Sequence, residues 1–188
     1  MDIKTFVMMG RPGSGKGKQT ELLSQELGFK VFSSGKKVRE IAAMDTPLGR
    51  RIAEISESGK LTPFWFASYL FENALIELPN EEGIIFEGAC RTIEEAQLFD
   101  DVTELLGRDF RMLYLDVSEE EARTRTIKRK ELEGRADDAR METRLAVYQA
   151  ETAPAVEFFR TKGKLIEING EQTPEEVFAE IKEKISHL

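Results

Sequence analysis

The segment Gly10-Arg11-Pro12-Gly13-Ser14-Gly15-Lys16-Gly17 decides how the rest of the chain is interpreted. It follows the apolar run 6–9, which is typical of a short buried strand, and it precedes residues 18–27, whose leucines recur at helical spacing. A glycine-rich turn between a strand and a helix is the context that a P-loop requires, because its backbone N–H groups then surround one phosphate group. The helix N-terminus adds a positive dipole end, and Lys16 reaches the outer phosphates.

Gly17 follows the loop lysine, where most P-loops carry a Ser or Thr that binds magnesium. An ordinary glycine-rich turn with a solvated lysine is the alternative interpretation of this segment. The strand before the loop and the helix after it favour phosphate binding instead.

Composition restricts the class of protein. With 188 residues, of which 40% are hydrophobic, the chain can form one domain with a sizeable core. The net charge of −8 argues against non-specific binding of nucleic acid. The sequence shows no signal-peptide pattern and no apolar run of membrane-spanning length. We therefore expect a cytoplasmic protein that binds neither nucleic acid nor membranes. We also expect it to be a monomer.

Strands and helices alternate along the chain, which predicts an α/β fold with a five-stranded parallel sheet flanked by helices. The predicted strands are 3–9, 30–32, 83–88, 110–116 and 164–168. A long helix is predicted from about 140 to 161, with Pro154 bending it. Because ligands of such sheets bind outside the carboxyl ends of the strands, the P-loop, Ser33-Ser34-Gly35 and Glu87-Gly88 should line one cleft.

Several arginines lie where they could reach that cleft. Phosphoryl transfer depends on positioning and on neutralising the charge of the transferring oxygens, and the planar guanidinium binds phosphate in a bidentate way. Any single arginine is more simply a solvated surface residue. Their joint placement near loop edges favours phosphate binding by Arg39, Arg91, Arg125, Arg129, Arg135 and Arg144.

These motifs resemble those of the adenylate kinase family of nucleoside monophosphate kinases in its short-lid form. Residues 10–17 resemble the family pattern G-x-P-G-x-G-K-G, and residues 34–39 resemble T-G-D-x-x-R. Residues 87–92 resemble D-G-[FY]-P-R-T, and residues 134–138 and 144–148 resemble the lid and its flank. The resemblance covers nearly the whole chain.

The resemblance implies one P-loop kinase domain over residues 1–188. Its core would comprise 1–32, 60–130 and 139–188, with a small monophosphate-binding insert at 33–59 and a short lid at 131–138. The implied activity is transfer of the γ-phosphoryl group of ATP to a nucleoside monophosphate, with AMP as the first candidate and Mg²⁺ as cofactor.

The resemblance also implies roles for individual residues. The catalytic residues would be Lys16, Arg91, Arg129, Arg135 and Arg144. ATP would be bound by Gly13, Ser14, Gly15, Lys16, Gly17, Lys18 and Arg129. The acceptor would be bound by Ser34, Gly35, Arg39, Gly59, Leu61, Gly88, Arg91, Glu95, Arg135 and Arg144. Asp137 and Asp138 would orient the lid arginines, and Glu87 would hold magnesium through water.

Five positions depart from the family pattern, namely Lys18, Lys36, Glu87, Cys90 and Glu95. A carboxylate such as Glu95 only accepts hydrogen bonds, so it suits the paired donors of guanine better than the edge of adenine. Alternatively, Glu95 points to solvent. At position 90 the family usually carries proline, and a cis bond before any other residue is costly.

The retained lysine and arginines favour an active kinase, but two other functions stay open. The first is a non-catalytic regulator that binds nucleotides. The second is a P-loop kinase with another acceptor, which could be GMP, CMP, UMP or a non-nucleotide small molecule.

Overall fold

The computed structural model describes residues 3–133 and 140–188, and its side-chain description leaves out 129–133. Five strands form one parallel sheet in the order β2-β3-β1-β4-β5. They are β1 (Thr5–Gly10), β2 (Lys30–Ser33), β3 (Ile84–Glu87), β4 (Arg111–Asp116) and β5 (Leu165–Asn169). The predicted five-stranded parallel sheet is confirmed, and the strand bounds differ from the prediction by one or two residues.

The helices connect these strands in the alternation that the sequence predicts. In chain order they are α1 (Lys16–Leu27), α2 (Ser34–Ala42), α3 (Pro47–Ser58), α4 (Phe64–Ile76), α5 (Ile93–Leu105), α6 (Glu119–Glu133), α7 (Met141–Val147), α8 (Ala153–Thr161) and α9 (Pro174–Ile185). Gly28 ends α1 and Gly59 ends α3, both in the left-handed conformation that glycine adopts without steric cost.

The sheet topology brings the carboxyl ends of three strands together. β1 lies in the centre, between β3 and β4. Met8 of β1 is in register with Glu87 at the end of β3, and Ser33 at the end of β2 is also in register with Glu87. The loops after β1, β2 and β3 therefore leave the sheet at the same edge, as expected for a cleft outside the carboxyl ends.

Two hydrophobic clusters cover the two faces of the sheet. One contains a chain of aromatic rings whose neighbouring centroids lie 5.0 to 5.4 Å apart, formed by Phe32, Phe86, Phe99, Phe110 and Phe159. Most of these rings meet edge to face, which is the arrangement that ring quadrupoles favour. This cluster fixes β3, β4, α5 and α8 behind the cleft.

The long helix predicted from about 140 to 161 is interrupted rather than merely bent. α7 and α8 are joined by a π-helical turn, Tyr148–Thr152, in which the N–H of Ala153 donates to the carbonyl of Tyr148. Pro154 explains the position of this turn. Its nitrogen cannot donate to the carbonyl of Ala150, and its ring collides with that carbonyl in a regular α-helix.

Within residues 3–133 and 140–188, no helix is long and apolar enough to span a membrane. The division into core, insert and lid stays a prediction. Most of the predicted lid, residues 131–138, lies outside the described part of the chain.

Candidate active site

The loop after β1 is closely packed and depends on its glycines. A Cβ atom on Gly10 would lie 2.7 Å from the carbonyl oxygen of Leu115, and one on Gly13 would lie 2.5 Å from that of Ala122. The ammonium group of Lys16 donates to the carbonyl oxygens of Gly10 and Arg11, both at 2.7 Å. The loop therefore curls around the lysine, with Gly15 as the N-cap of α1.

Helix α6 runs beside this loop. A Cβ atom on Gly13 would also lie 2.7 Å from the hydroxyl of Thr126, and one on Gly15 would lie 4.0 Å from Nη1 of Arg125. Arg125 donates to the Glu121 carboxylate at 2.7 Å. Arg125 therefore faces the P-loop, in line with its place among the arginines expected near the cleft, although the family resemblance assigns it no individual role. The signal was its four-residue spacing from Arg129, which places both residues on one helix face.

Glu87 ends β3 next to the first turn of α1. The Ser33 hydroxyl donates to its Oε2 at 3.1 Å, and its Oε1 would lie 3.5 Å from a Cβ atom on Gly17. Among the described residues, no group of three or more potential ligands forms a metal site built by the protein alone. Magnesium keeps several waters and takes one or two carboxylates, so one carboxylate beside a phosphate loop fits it. Asp116, at the end of β4, lies 3.6 Å from Arg11 and is largely exposed.

The loop after Glu87 places Arg91 at the cleft. Gly88 has φ +83°, which favours glycine, and a Cβ atom there would lie 2.6 Å from Nη2 of Arg91, so a side chain at this position would displace the guanidinium. Cys90 is buried and has φ +59°, which is uncommon for a residue other than glycine and costs free energy. Every peptide bond in the described part of the chain is trans. The loop thus accommodates Cys90 through φ rather than through a cis bond.

Glu95 is buried, with 2% of its surface exposed, and accepts a hydrogen bond from the backbone N–H of Arg91 at 2.8 Å. The expectation that it points to solvent is wrong. Burial raises the pKa of the Glu95 carboxyl, although the hydrogen bond and charge of Arg91 partly offset this effect. Burial likewise lowers the pKa of the Arg91 guanidinium, against the attraction of Glu95 and Glu87.

The remaining predicted acceptor residues follow β2 and α3. Ser34 and Gly35 begin α2, and Nη1 of the exposed Arg39 lies 3.3 Å from the Cβ position of Gly35. Gly59 has φ +74°, and its Cβ position lies 3.3 Å from Cβ of Arg140. The turn at Gly59, with the half-buried Leu61 after it, therefore lies against the start of α7.

The arginines expected at the lid are only partly described. Arg144 is half-buried on α7, four residues before Tyr148. Arg129 lies in α6, but its side chain is not described, and Arg135, Asp137 and Asp138 lie outside the described residues. Lys18 is exposed and lies 3.6 Å from Glu21.

Comparison with known proteins agrees with this arrangement. Residues 8–164 match the adenylate kinase family. The chain is 38% identical to an adenylate kinase of Thermus thermophilus over an alignment of 193 positions, which covers 97% of each protein. It is also 38% identical to one of Maricaulis maris and 36% identical to one of Parabacteroides distasonis, again over at least 94% of each protein. The chain belongs to the adenylate kinase family.

Membership of the adenylate kinase family confirms two expectations drawn from the sequence. The protein is a phosphotransferase of the nucleoside monophosphate kinase type, and its fold is the P-loop kinase fold. The P-loop, the neighbouring Glu87 and the loop that carries Arg91 all lie at one edge of the sheet. The individual roles expected for the site residues stay predictions.

Proposed function

We propose that this protein transfers the γ-phosphoryl group of ATP to AMP and that Mg²⁺ accompanies the ATP. The observation that carries this proposal is the closeness of the two loops. Glu87, which opens the loop leading to Arg91, lies 3.5 Å from the Cβ position of Gly17 at the end of the P-loop. A donor phosphate on one loop and an acceptor phosphate on the other would therefore meet in one cleft, as in-line transfer requires.

The loop amides of residues 13–17 and the ammonium group of Lys16 would bind the donor phosphates. In the structure this ammonium group is held by two loop carbonyls, so it is already directed to the centre of the loop. Arg125 and Arg144 would approach the donor from α6 and α7, and Arg129 and Arg135 would complete this set. Fixed positive charge at the transferring oxygens stabilises the transition state.

The acceptor would lie between the insert and the loop after β3. Arg91 and Arg39 would bind its phosphate, and residues 34–35, 59–61, Gly88 and Glu95 would surround its nucleoside. Magnesium would be held by Glu87 through water, and when bound it would neutralise charge on the β- and γ-phosphates. The protein's part is to direct the Glu87 carboxylate, which the Ser33 hydroxyl orients.

A kinetic experiment with one variant tests the proposal. Turnover with ATP and AMP is measured in the parent, in Lys16→Ala and in Lys182→Ala, a matched lysine of α9 that lies 3.8 Å from Glu26. We expect Lys16→Ala to lower kcat by at least about two orders of magnitude, because it removes charge at the transferring group. Lys182→Ala should keep normal turnover. Near-normal turnover of a folded Lys16→Ala would contradict the assignment of the P-loop.

The same assay separates the alternatives. Nucleotide binding without turnover of any acceptor would identify a regulator. Turnover with GMP, CMP or UMP in preference to AMP would identify another acceptor, and Glu95, which is hydrogen-bonded to the Arg91 backbone, is the residue that would select it. The cytoplasmic location and the monomeric state stay predictions, and size-exclusion chromatography with light scattering would test the second.

A further inference from the structure

The π-helical turn Tyr148–Thr152 touches both loops of the proposed site. It lies between α7 and α8, and Pro154 accounts for its presence at this point of the helix. Single π turns inside α-helices are rare and often occur at functional sites. This turn has a contact at each end, one on the donor side and one on the acceptor side.

On the donor side the contact is made by Tyr148. Its ring is buried, and the guanidinium carbon of Arg11, a P-loop residue, lies 5.5 Å from the ring centroid. Arg11 also donates to the carbonyl of Val117 at 2.6 Å. The hydroxyl groups of Tyr148 and Tyr114 are hydrogen-bonded at 2.9 Å, which fixes the ring against β4. The P-loop is thus supported from the π turn.

On the acceptor side the contact is made by Thr152, which is 6% exposed. Its hydroxyl donates to the backbone carbonyl of Arg91 at 2.9 Å, across 61 residues of sequence. The backbone N–H of Arg91 donates to Glu95. Both polar groups of the Arg91 main chain are therefore held by buried side chains, and its guanidinium lies beside Gly88.

We propose that Thr152 is a positioning residue for phosphoryl transfer. Through its hydrogen bond to the Arg91 carbonyl, it sets where the acceptor-binding guanidinium lies relative to the P-loop, and the other end of the same turn supports that loop. This inference rests on the proposed role of Arg91 toward the acceptor phosphate. Displacing a binding group from its productive position slows transfer even when the group itself is intact.

Thr152→Val tests the hydroxyl, because valine keeps the shape of threonine and removes the donor. We expect the KM for AMP to rise about fivefold to tenfold, the effect of losing one hydrogen bond, while the KM for ATP stays within about twofold. Thr152→Ser should restore the parent values. The matched control is Thr103→Val, which removes another buried hydroxyl that donates to the carbonyls of Phe99 and Asp100 within α5. Thr103→Val should lower the melting temperature, but it should not raise the KM for AMP relative to the KM for ATP.

A double-mutant cycle with Arg91→Ala tests whether Thr152 acts through Arg91. In the Arg91→Ala background, Thr152→Val should raise the KM for AMP no further. An unchanged KM for AMP in Arg91→Ala alone would overturn the proposed role of Arg91 and with it this inference. If Arg91→Ala does raise the KM for AMP, two results would overturn the role of Thr152 alone. The first is an unchanged KM for AMP in Thr152→Val. The second is a double variant whose rise in KM for AMP equals the product of the rises in the two single variants.

Discussion

Glu87 shows how one side chain can serve two loops. Its carboxylate is oriented by Ser33 at the end of β2 and lies beside Gly17, which has no side chain of its own to offer a metal ion. The absent hydroxyl at position 17 and the nearby carboxylate at position 87 are thus complementary. The sequence indicated each of them separately, and the parallel pairing of β1 with β3, in which Met8 is in register with Glu87, brings them together.

We predict that Glu87→Gln weakens the binding of the magnesium that turnover requires, because an amide oxygen orders the water shell of a cation less strongly than a carboxylate does. The concentration of magnesium that gives half-maximal kcat should rise about tenfold or more. The control is Glu72→Gln on α4, a half-buried carboxylate to which the proposed site gives no role. A magnesium titration that does not change in Glu87→Gln would move the metal elsewhere.

We predict that Glu95→Gln stabilises the protein at neutral pH. The folded state raises the pKa of Glu95 through burial, so the stability tied to this group is complete below its unfolded pKa and is lost as pH rises through the folded pKa. A glutamine oxygen can still accept from Arg91 without carrying the buried charge. The melting temperature at pH 7 should rise by roughly 2–4 °C, and the gain should disappear below about pH 4.3.

Glu94→Gln is the matched control for Glu95→Gln, because folding lowers the pKa of Glu94 whereas it raises the pKa of Glu95. Glu94 is exposed at the start of α5. The pKa of its carboxyl is lowered by a hydrogen bond from its own backbone N–H and, to a smaller extent, by one from the Thr92 side chain. The contribution of Glu94 to stability is present above its unfolded pKa and is lost as pH falls through its folded pKa.

A lower melting temperature for Glu95→Gln at pH 7 would show that the Glu95 carboxylate is required as an ion. The ratio of kcat/KM for AMP and GMP in the same variant tests base selection.

Helix α9 shows what an element inherits directly from its sequence. Thr173-Pro174-Glu175-Glu176 predicts a capped start, and the structure has the complete capping box. The backbone N–H of Glu176 donates to the Thr173 hydroxyl, and the Glu176 carboxylate accepts from the Thr173 backbone N–H at 3.0 Å. All partners lie within four residues, so a local pattern suffices to predict them.

We predict that Thr173→Ala destabilises the protein by about 1 kcal/mol, because the first turn of α9 loses its side-chain cap. The melting temperature should fall by roughly 2–4 °C while kcat and both KM values stay unchanged. Thr173→Ser should keep the parent stability. An unchanged melting temperature in Thr173→Ala would mean that water replaces the cap at this exposed helix end.

Arg108 connects parts of the molecule that are distant in sequence. It is 7% exposed, and its guanidinium donates to the hydroxyl of Thr5 and to the carbonyls of Glu82 and Pro79, at 2.8 to 3.3 Å. It therefore joins the start of β1, the loop before β3 and the end of α5, at the edge of the sheet opposite the cleft.

We predict that Arg108→Met destabilises the whole fold by about 2–3 kcal/mol, since the buried Thr5 hydroxyl and two partly buried carbonyl groups lose their donor. The melting temperature should fall by roughly 4–12 °C, with normal kinetic constants at a temperature where the variant is folded. The control is Arg51→Met, whose exposed partner is Glu54, because exposed ion pairs contribute little. Equal melting temperatures for the two variants would contradict the role of Arg108.

The sequence by itself determined the features that depend on near neighbours. Glycine spacing and the lysine indicated the phosphate loop, alternation of patterns indicated the parallel sheet, and the cap of α9 followed from four residues. Tertiary structure decided what depends on residues far apart: the burial of Glu95, the approach of Arg125 to the loop and the bond from Thr152 to Arg91. The physical reason is that local conformation is set by short-range sterics and hydrogen bonds, whereas burial and the partner of a side chain are set by how whole elements pack.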